Sequence, residues 1–268
     1  MAKRLITGFI LAPILILLVL YAPKWVFFTV LALAAAQGVD ELVRMYPEIR
    51  LQDRLTLVPL AILTVVAVGA RGHWLIPSVL PVAWLSLCLV RPGTVEAAGK
   101  RATVGLLGLA YVATLFGVLV QMFALGQMPA GGQFDTGRGA LLSLLIVVFA
   151  GDTGAYFAGR SLGRHKLYEL ISPKKTMEGA LGGLCASILG GLIAQRLLMP
   201  QLTVVQGLLM GASGGAVGQI GDLAESLFKR ATGTKDSGGL LPGHGGILDR
   251  LDGVLFAAPV ILAWVLFH

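Results

Sequence analysis

Long apolar runs recur along almost the whole chain of 268 residues, and they constrain the fold more than any other feature. A helix needs about 20 mostly apolar residues to cross the hydrocarbon core of a bilayer. Segments suited to such crossings lie at residues 5–22, 25–43, 55–70, 74–90, 103–126, 140–159, 178–198, 202–228 and 248–267. Only 13% of the residues are charged, against about 25% in soluble domains. We therefore predict an all-α, polytopic integral membrane protein with about nine transmembrane helices.

The distribution of Lys and Arg predicts the orientation of these helices. If the N-terminus is cytoplasmic, 17 of the 21 basic residues fall in cytoplasmic segments, and 4 (Lys24, Arg71, Arg138 and Arg196) fall on the opposite side. We therefore expect a bacterial-type cytoplasmic membrane protein with its C-terminus on the opposite side. The polar loops 160–177 and 229–247 would then both face the cytoplasm. The sequence shows no interleaved aromatic and basic surface of the kind that binds single strands, so the net charge of +7 does not indicate nucleic-acid binding.

Glycine is concentrated between residues 179 and 221, in the C-terminal half of the chain. Several of these glycines are four residues apart, such as Gly179 and Gly183, or Gly211 and Gly215. Small residues at this spacing allow helix backbones to approach closely. We predict a compact, Gly-rich helical bundle within residues 131–268. Residues 1–130 are predicted to form accessory, lipid-facing transmembrane helices.

Two of the 14 acidic residues lie well inside apolar runs, at Asp152 and Asp222. A carboxylate at membrane depth costs about 2.5–3.5 kcal/mol on insertion scales, so such residues usually face a cavity, a partner or an ion. The structural explanation would be an internal ion pair, or a side chain near a helix end that reaches to the membrane surface. We favour a functional site that contains both carboxylates.

Two further acidic residues, Asp249 and Asp252, are three apart at the start of the last apolar segment. On a helix they share one face, and the glycine-rich loop before them can fold back towards Asp222. Three carboxylates without His or Cys suit a hard cation such as Mg²⁺, which keeps water and substrate phosphates as its other ligands. We therefore predict a metal site formed by Asp222, Asp249 and Asp252.

The two polar loops contain groups suited to binding phosphates. Residues 171–179, ISPKKTMEG, present hydroxyl and ammonium groups directly before a predicted helix. The glycines of PGHGG, residues 242–246, offer backbone N–H groups of the kind that cradle phosphate. The predicted substrate-binding residues are Asp152, Ser172, Lys174, Lys175, Thr176, Arg230, Lys235, Asp236, His244, Gly245 and Gly246. An acidic, metal-holding centre ringed by cations is suited to phosphoryl or nucleotidyl transfer.

Residues 226–252, SLFKRATGTKDSGGLLPGHGGILDRLD, resemble the signature of the phosphatidate cytidylyltransferases, also called CDP-diacylglycerol synthases. The Ser–x–x–Lys–Arg, Lys–Asp, Pro–Gly–His–Gly–Gly and Asp–Arg–x–Asp elements stand at the family's spacing. Upstream, GDTGAYFAGRSLGRHKL and ISPKKTMEG are similar to a second conserved region of that family. The resemblance covers about 149–179 and 219–253.

The resemblance implies an integral membrane enzyme with a cytoplasm-facing polar cavity. The implied reaction converts CTP and phosphatidic acid to CDP-diacylglycerol and pyrophosphate, with Mg²⁺ at acidic residues. Carried over to this chain, the metal ligands are Asp222 and Asp249, supported by Asp252. We predict Asp222, Asp249, Lys229 and Arg250 as the catalytic residues. The expected partners are CTP, phosphatidic acid in the bilayer and other membrane lipids.

Three other functions would share some of these features. A CTP-dependent polyprenol or phytol kinase would use the same nucleotide but transfer the γ-phosphate to an alcohol. A cation-coupled transporter would not need so many basic residues at a glycine-rich loop, and a structural subunit would not need Asp152 and Asp222. The sequence leaves open a homodimer and a second, monovalent cation at the site.

Overall fold

The structure is a computed structural model that describes residues 13–69, 75–91, 93–126, 134–239 and 245–267. These residues are mostly helical, with one short β-hairpin. The helices are residues 13–21 (α1), Lys24–Arg44 (α2), Leu51–Gly69 (α3), Leu75–Val90 (α4), Val95–Leu107 (α5), Thr114–Phe123 (α6), Thr136–Leu162 (α7), Met177–Leu197 (α8), Val204–Ala231 (α9) and Leu248–Leu266 (α10). A π-helical turn, Gly108–Ala113, joins α5 to α6.

Each predicted apolar segment coincides with a helix, as far as the structure describes it. The largest difference in boundary is at the fifth segment, whose helix begins at Val95 rather than at residue 103. Within the part of the chain that the structure describes, five helices are long and apolar enough to cross a membrane: Lys24–Arg44, Leu51–Gly69, Val95–Phe123, Thr136–Leu162 and Met177–Leu197. The class of a helical integral membrane protein is thereby confirmed, while the number of nine crossings stays a prediction.

The β-hairpin lies in the polar segment that the sequence analysis treated as a loop. Strands Lys166–Tyr168 (β1) and Ser172–Thr176 (β2) are antiparallel. The second strand leads directly into α8, because the Thr176 side chain accepts a hydrogen bond of 3.1 Å from the Gly179 N–H. Such an N-cap satisfies one of the donors left free at a helix start. The hairpin thus places the end of β2 at the beginning of α8.

The chain forms two compact units that alternate along the sequence. The first unit comprises Ala22–Gln121 and Thr232–Arg250, together with the N-terminal segment to Pro13. The second comprises Ile14–Tyr21, Met122–Ala231 and Leu251–His268. The loop with the glycine-rich signature therefore belongs to the unit built mainly from N-terminal helices. The predicted division of the chain at residue 130 separates accessory from catalytic helices. Compact units do not test such a division by function, so it stays a prediction.

Within the second unit, α7, α8 and α9 pack at very short distances. A Cβ atom at Gly182 of α8 would lie 2.2 Å from the Cβ atom of Ala158 in α7. A Cβ atom at Gly211 of α9 would lie 2.4 Å from the carbonyl oxygen of Ser187. The Ser187 hydroxyl in turn donates a hydrogen bond of 2.9 Å to the Val147 carbonyl. Glycine and serine at these positions let the three helices approach closely, as the glycine spacing predicts.

Within the first unit, ion pairs join the polar ends of the helices. Asp40 of α2 accepts hydrogen bonds from Arg44 and from Arg54 of α3, at 2.6 and 2.7 Å. Asp53 pairs with Arg91. These contacts neutralise carboxylates that are themselves almost completely buried, as buried charges require.

Candidate active site

A pocket of about 460 Å³ lies within the second unit. Small-molecule sites usually measure about 300–1,000 Å³. Helix α7, the hairpin, the start of α8 and the C-terminal half of α9 form its walls. Its polar lining residues are Asp152, Tyr156 and Arg160 of α7, Lys174, Lys175 and Thr176 of β2, and Gln219 and Asp222 of α9.

Charges of both signs meet in this pocket. Lys175 Nζ lies 2.6 Å from Asp222 Oδ2, and both side chains are partly exposed, at 27% and 41%. Arg160 donates a hydrogen bond of 2.9 Å to the Tyr156 hydroxyl, and the Lys174 side chain is exposed. The pocket therefore offers three cations that a phosphate chain can contact, beside two carboxylates.

Carboxyl groups from three helices come together beside the pocket. The charges of Asp222 and Asp252 act on Asp152, and the positive charge of Lys175 opposes them. The carboxyl group of Asp252 on α10 lies close to that of Glu225, which is one helical turn after Asp222 on α9. This approach of α10 to α9 depends on glycine, because a Cβ atom at Gly221 would lie 2.7 Å from the Asp252 carbonyl oxygen.

Glu225 is the most deeply buried of these carboxyl groups. Its side chain is 1% exposed, and its Oε1 atom lies 3.5 Å from Lys229 Nζ, one turn further along α9. The predicted catalytic Lys229 thus neutralises an acidic residue next to Asp252. The catalytic role of Lys229 stays a prediction.

The glycine-rich signature loop is held by Asp249 within the first unit. Asp249 Oδ2 accepts hydrogen bonds from the Ser237 N–H at 2.8 Å, the Ser237 hydroxyl at 2.9 Å and the Gly246 N–H at 2.8 Å. Gly245 has a φ of +79°, a left-handed conformation that favours glycine. A Cβ atom there would also lie 2.3 Å from Asp249 Oδ2. The described ends of the loop therefore meet at this carboxylate, and Gly245 is required at the closest approach.

Five predicted residues line the pocket together, and the other predicted residues that the structure describes are not among its lining residues. The five are Asp152, Lys174, Lys175, Thr176 and Asp222. Ser172 pairs with Tyr168 in the hairpin, and Arg230 donates a hydrogen bond of 3.2 Å to the Ile171 carbonyl. The first unit contains Lys235, Asp236, Gly245, Gly246, Asp249 and Arg250. His244 lies outside the described residues.

Several residues at or near the candidate site are not among those that the sequence predicts. Tyr156, Arg160 and Gln219 line the pocket, and Glu225 is buried beside Asp252. The spacing of Asp222 and Glu225, three residues apart on one helix, was an available signal for Glu225. Glu41, which is 2% exposed, was overlooked because it stands at the edge of an apolar run.

Comparison with known proteins identifies the family of this chain. The chain matches the model of the cytidylyltransferase family over residues 2–268. A phosphatidate cytidylyltransferase of Staphylococcus epidermidis is 47% identical over 121 residues, which cover 45% of this chain and 46% of the relative. One of Brucella suis is 41% identical over 187 residues, covering 61% and 65%, and one of Synechocystis sp. is 45% identical over 132 residues, covering 49% and 45%. The chain thus spans less than two thirds of the length of each of these relatives. Because the family model matches almost the entire chain, this protein belongs to the cytidylyltransferase family.

Proposed function

We propose that this protein transfers CMP from CTP to phosphatidic acid, which gives CDP-diacylglycerol and pyrophosphate. The observation that carries this proposal is the pocket, in which Lys174 and Lys175 meet Asp152 and Asp222. These residues come from two sequence regions that resemble the family's conserved segments. The relatives named phosphatidate cytidylyltransferase match the chain over a large part of its length.

The reaction needs charge neutralisation and positioning rather than a side-chain nucleophile. The lipid phosphate is already anionic at neutral pH, so its oxygen attacks the α-phosphorus of CTP directly. The bond to the β-phosphate oxygen breaks, and pyrophosphate leaves with both electrons of that bond. The cations of Lys174, Lys175 and Arg160 are suited to holding the negative phosphate chains in the pocket. No covalent intermediate with the enzyme is expected.

The carboxylates of the second unit fit the donor chemistry of Mg²⁺. Asp152, Asp222 and Asp252 provide only oxygen ligands, and their charges interact with one another. No three His, Cys, Asp or Glu side chains of the described residues are placed to enclose a metal ion. Mg²⁺ is commonly bound by one or two carboxylates plus substrate phosphates, so such an enclosure is not required. Bound Mg²⁺ would neutralise the developing negative charge on the leaving pyrophosphate. The predicted contribution of Asp249 to this site, and a second, monovalent cation, are part of this proposal.

The proposed location follows from the two substrates. CTP is dissolved in the cytoplasm, and phosphatidic acid is dissolved in the membrane. We therefore place the pocket and the N-terminus at the cytoplasmic face, as the excess of basic residues in loops 160–177 and 229–247 predicts. This proposal leaves open whether the protein forms a homodimer.

The transfer can be tested with CTP that carries its radioactive phosphorus at either the α- or the γ-position. Purified protein in detergent would receive Mg²⁺, phosphatidic acid and one of the two labelled nucleotides. We expect α-label to enter the lipid extract and γ-label to remain in water as pyrophosphate. EDTA should stop the transfer, because the triphosphate would then face the carboxylates without a neutralising cation.

The same experiment separates the proposal from its rivals. A polyprenol or phytol kinase would move γ-label into an added alcohol substrate and release CDP. That result, with no α-label in lipid, would refute the proposal in favour of the kinase. If neither label enters any lipid tested, the protein is not an enzyme of either kind.

A further inference from the structure

We propose that Glu41 is a positioning residue that holds the glycine-rich signature loop and the start of α10 in their reactive arrangement. The inference rests on the proposed function, because the loop is taken to serve CMP transfer. Glu41 lies on α2, almost 200 residues before the loop in sequence, and its side chain is buried. All the contacts that carry the inference lie within the first unit.

Glu41 contacts both ends of the loop. Its Oε2 atom accepts a hydrogen bond of 3.2 Å from the Leu248 N–H, the first residue of α10. The same oxygen lies 3.3 Å from the Ser237 hydroxyl. The first N–H groups of a helix have no partner within the helix. Glu41 therefore serves as an N-terminal cap for α10 that is supplied by another helix.

The Ser237 hydroxyl links Glu41 to Asp249. It lies 2.9 Å from Asp249 Oδ2 and 3.3 Å from Glu41 Oε2. A hydroxyl has one proton to donate, and the oxygens of both carboxylates lie within hydrogen-bonding distance of it. A displacement of Glu41 would consequently be felt at the position of Asp249, a residue that the sequence analysis placed in the catalytic set.

The surroundings of Glu41 hold its carboxylate in one orientation. Gln37, one turn earlier on α2, donates a hydrogen bond of 3.1 Å to Glu41 Oε1, so Oε2 is left facing the loop. Cβ atoms at Gly238 and Gly246 would lie 2.9 Å and 2.1 Å from atoms of the Glu41 carboxyl group. The described ends of the loop thus lie against this carboxylate, with a glycine at each point of closest approach.

The expected result of Glu41→Ala is a fall in kcat of about 10²-fold, since a shift of about 1 Å in positioned groups can cost that much. The concentration of Mg²⁺ that gives half-maximal activity should rise, while KM for CTP changes less, because the pocket lysines belong to the other unit. Glu41→Gln keeps an oxygen acceptor of the same reach and should recover most of the lost activity.

The matched control is Asp40→Asn, which removes a buried negative charge from the neighbouring position of α2. Asp40 is paired with Arg44 and Arg54 instead of the loop, so this variant should lower stability while the kcat of the folded protein stays within about twofold of that of the unmodified protein.

A second measurement does not depend on activity. Hydrogen exchange in the detergent-solubilised protein should show reduced protection at the Ser237 and Leu248 amides in Glu41→Ala, with α8 unchanged. Full protection at these amides, or a kcat within twofold of the unmodified protein, would overturn the proposal. So would equal losses in Glu41→Ala and Asp40→Asn. If Glu41→Ala does not fold, the same two measurements are made on Glu41→Gln and Gly238→Ala. Only the glycine variant should disturb the loop, so only it should lose amide protection and kcat. An unmodified protein without CMP transfer would refute the proposed function instead.

Discussion

At the scale of single residues, the ion pair between Lys175 and Asp222 in the pocket allows two roles for the lysine. A lysine that merely neutralised a carboxylate would be dispensable once the carboxylate was removed. A lysine that binds the phosphates of CTP would be needed in either case. The exposure of both side chains, 27% and 41%, favours the second role, because each can reach a ligand without breaking a buried contact.

We expect Lys175→Met to lower kcat/KM by about 10²–10³-fold, the usual cost of removing a group that stabilises transition-state charge. Lys100→Met is the matched control, since it breaks an ion pair of 2.8 Å with Glu48 that does not line the pocket. The measurement is CMP transfer by the Lys175→Met, Asp222→Asn and double variants. Recovery of activity in the double variant would show that Lys175 serves only to neutralise Asp222.

At the scale of secondary-structure elements, α8 and α9 lie so close together that only glycine fits at Gly211. The nearest atoms to a Cβ at Gly211 belong to the backbone of α8, at 2.4 Å from Ser187 O and 2.8 Å from Ile188 Cα. Backbone atoms cannot move aside as a side chain can, so an added methyl group must separate the helices. The four-residue glycine spacing predicted such packing. The β-hairpin was not predicted, because a short polar segment with Pro173 carries no clear alternation of apolar residues.

We expect Gly211→Ala to destabilise the protein by about 1–3 kcal/mol, the usual cost of overpacking. Gly99→Ala provides the matched control, since Gly99 also lies inside a helix but a Cβ atom there has open space. Alanine favours helix over glycine by about 1 kcal/mol, so the control should be neutral or stabilising. The temperature at which half the detergent-solubilised protein loses its monodisperse form measures both. A midpoint for Gly211→Ala equal to or above that of the control would contradict the packing argument.

At the scale of the whole molecule, the order of the chain does not match its compact units. Residues 232–250 join the helices of Ala22–Gln121, which hydropathy cannot foresee, because it measures each segment without its neighbours. The same limit explains the residues that were missed. Glu41 stands where an apolar run ends, and such an acidic residue is indistinguishable in sequence from one at the membrane surface. Asp152 and Asp222 could be found because they interrupt apolar runs well inside their limits.

The orientation of the chain in the membrane is a prediction that a labelling experiment can decide. After Cys88 and Cys185 have been replaced by serine, single cysteines would be placed at Leu170 and Gln201, both of which are exposed. Leu170 lies in the hairpin, between basic residues that favour the cytoplasm, and Gln201 lies in the turn between α8 and α9. A membrane-impermeant thiol reagent applied to intact cells should label Gln201→Cys alone, and both variants should react after the cells are opened. Labelling of Leu170→Cys in intact cells would reverse the orientation and place the pocket on the side of the membrane that lacks CTP.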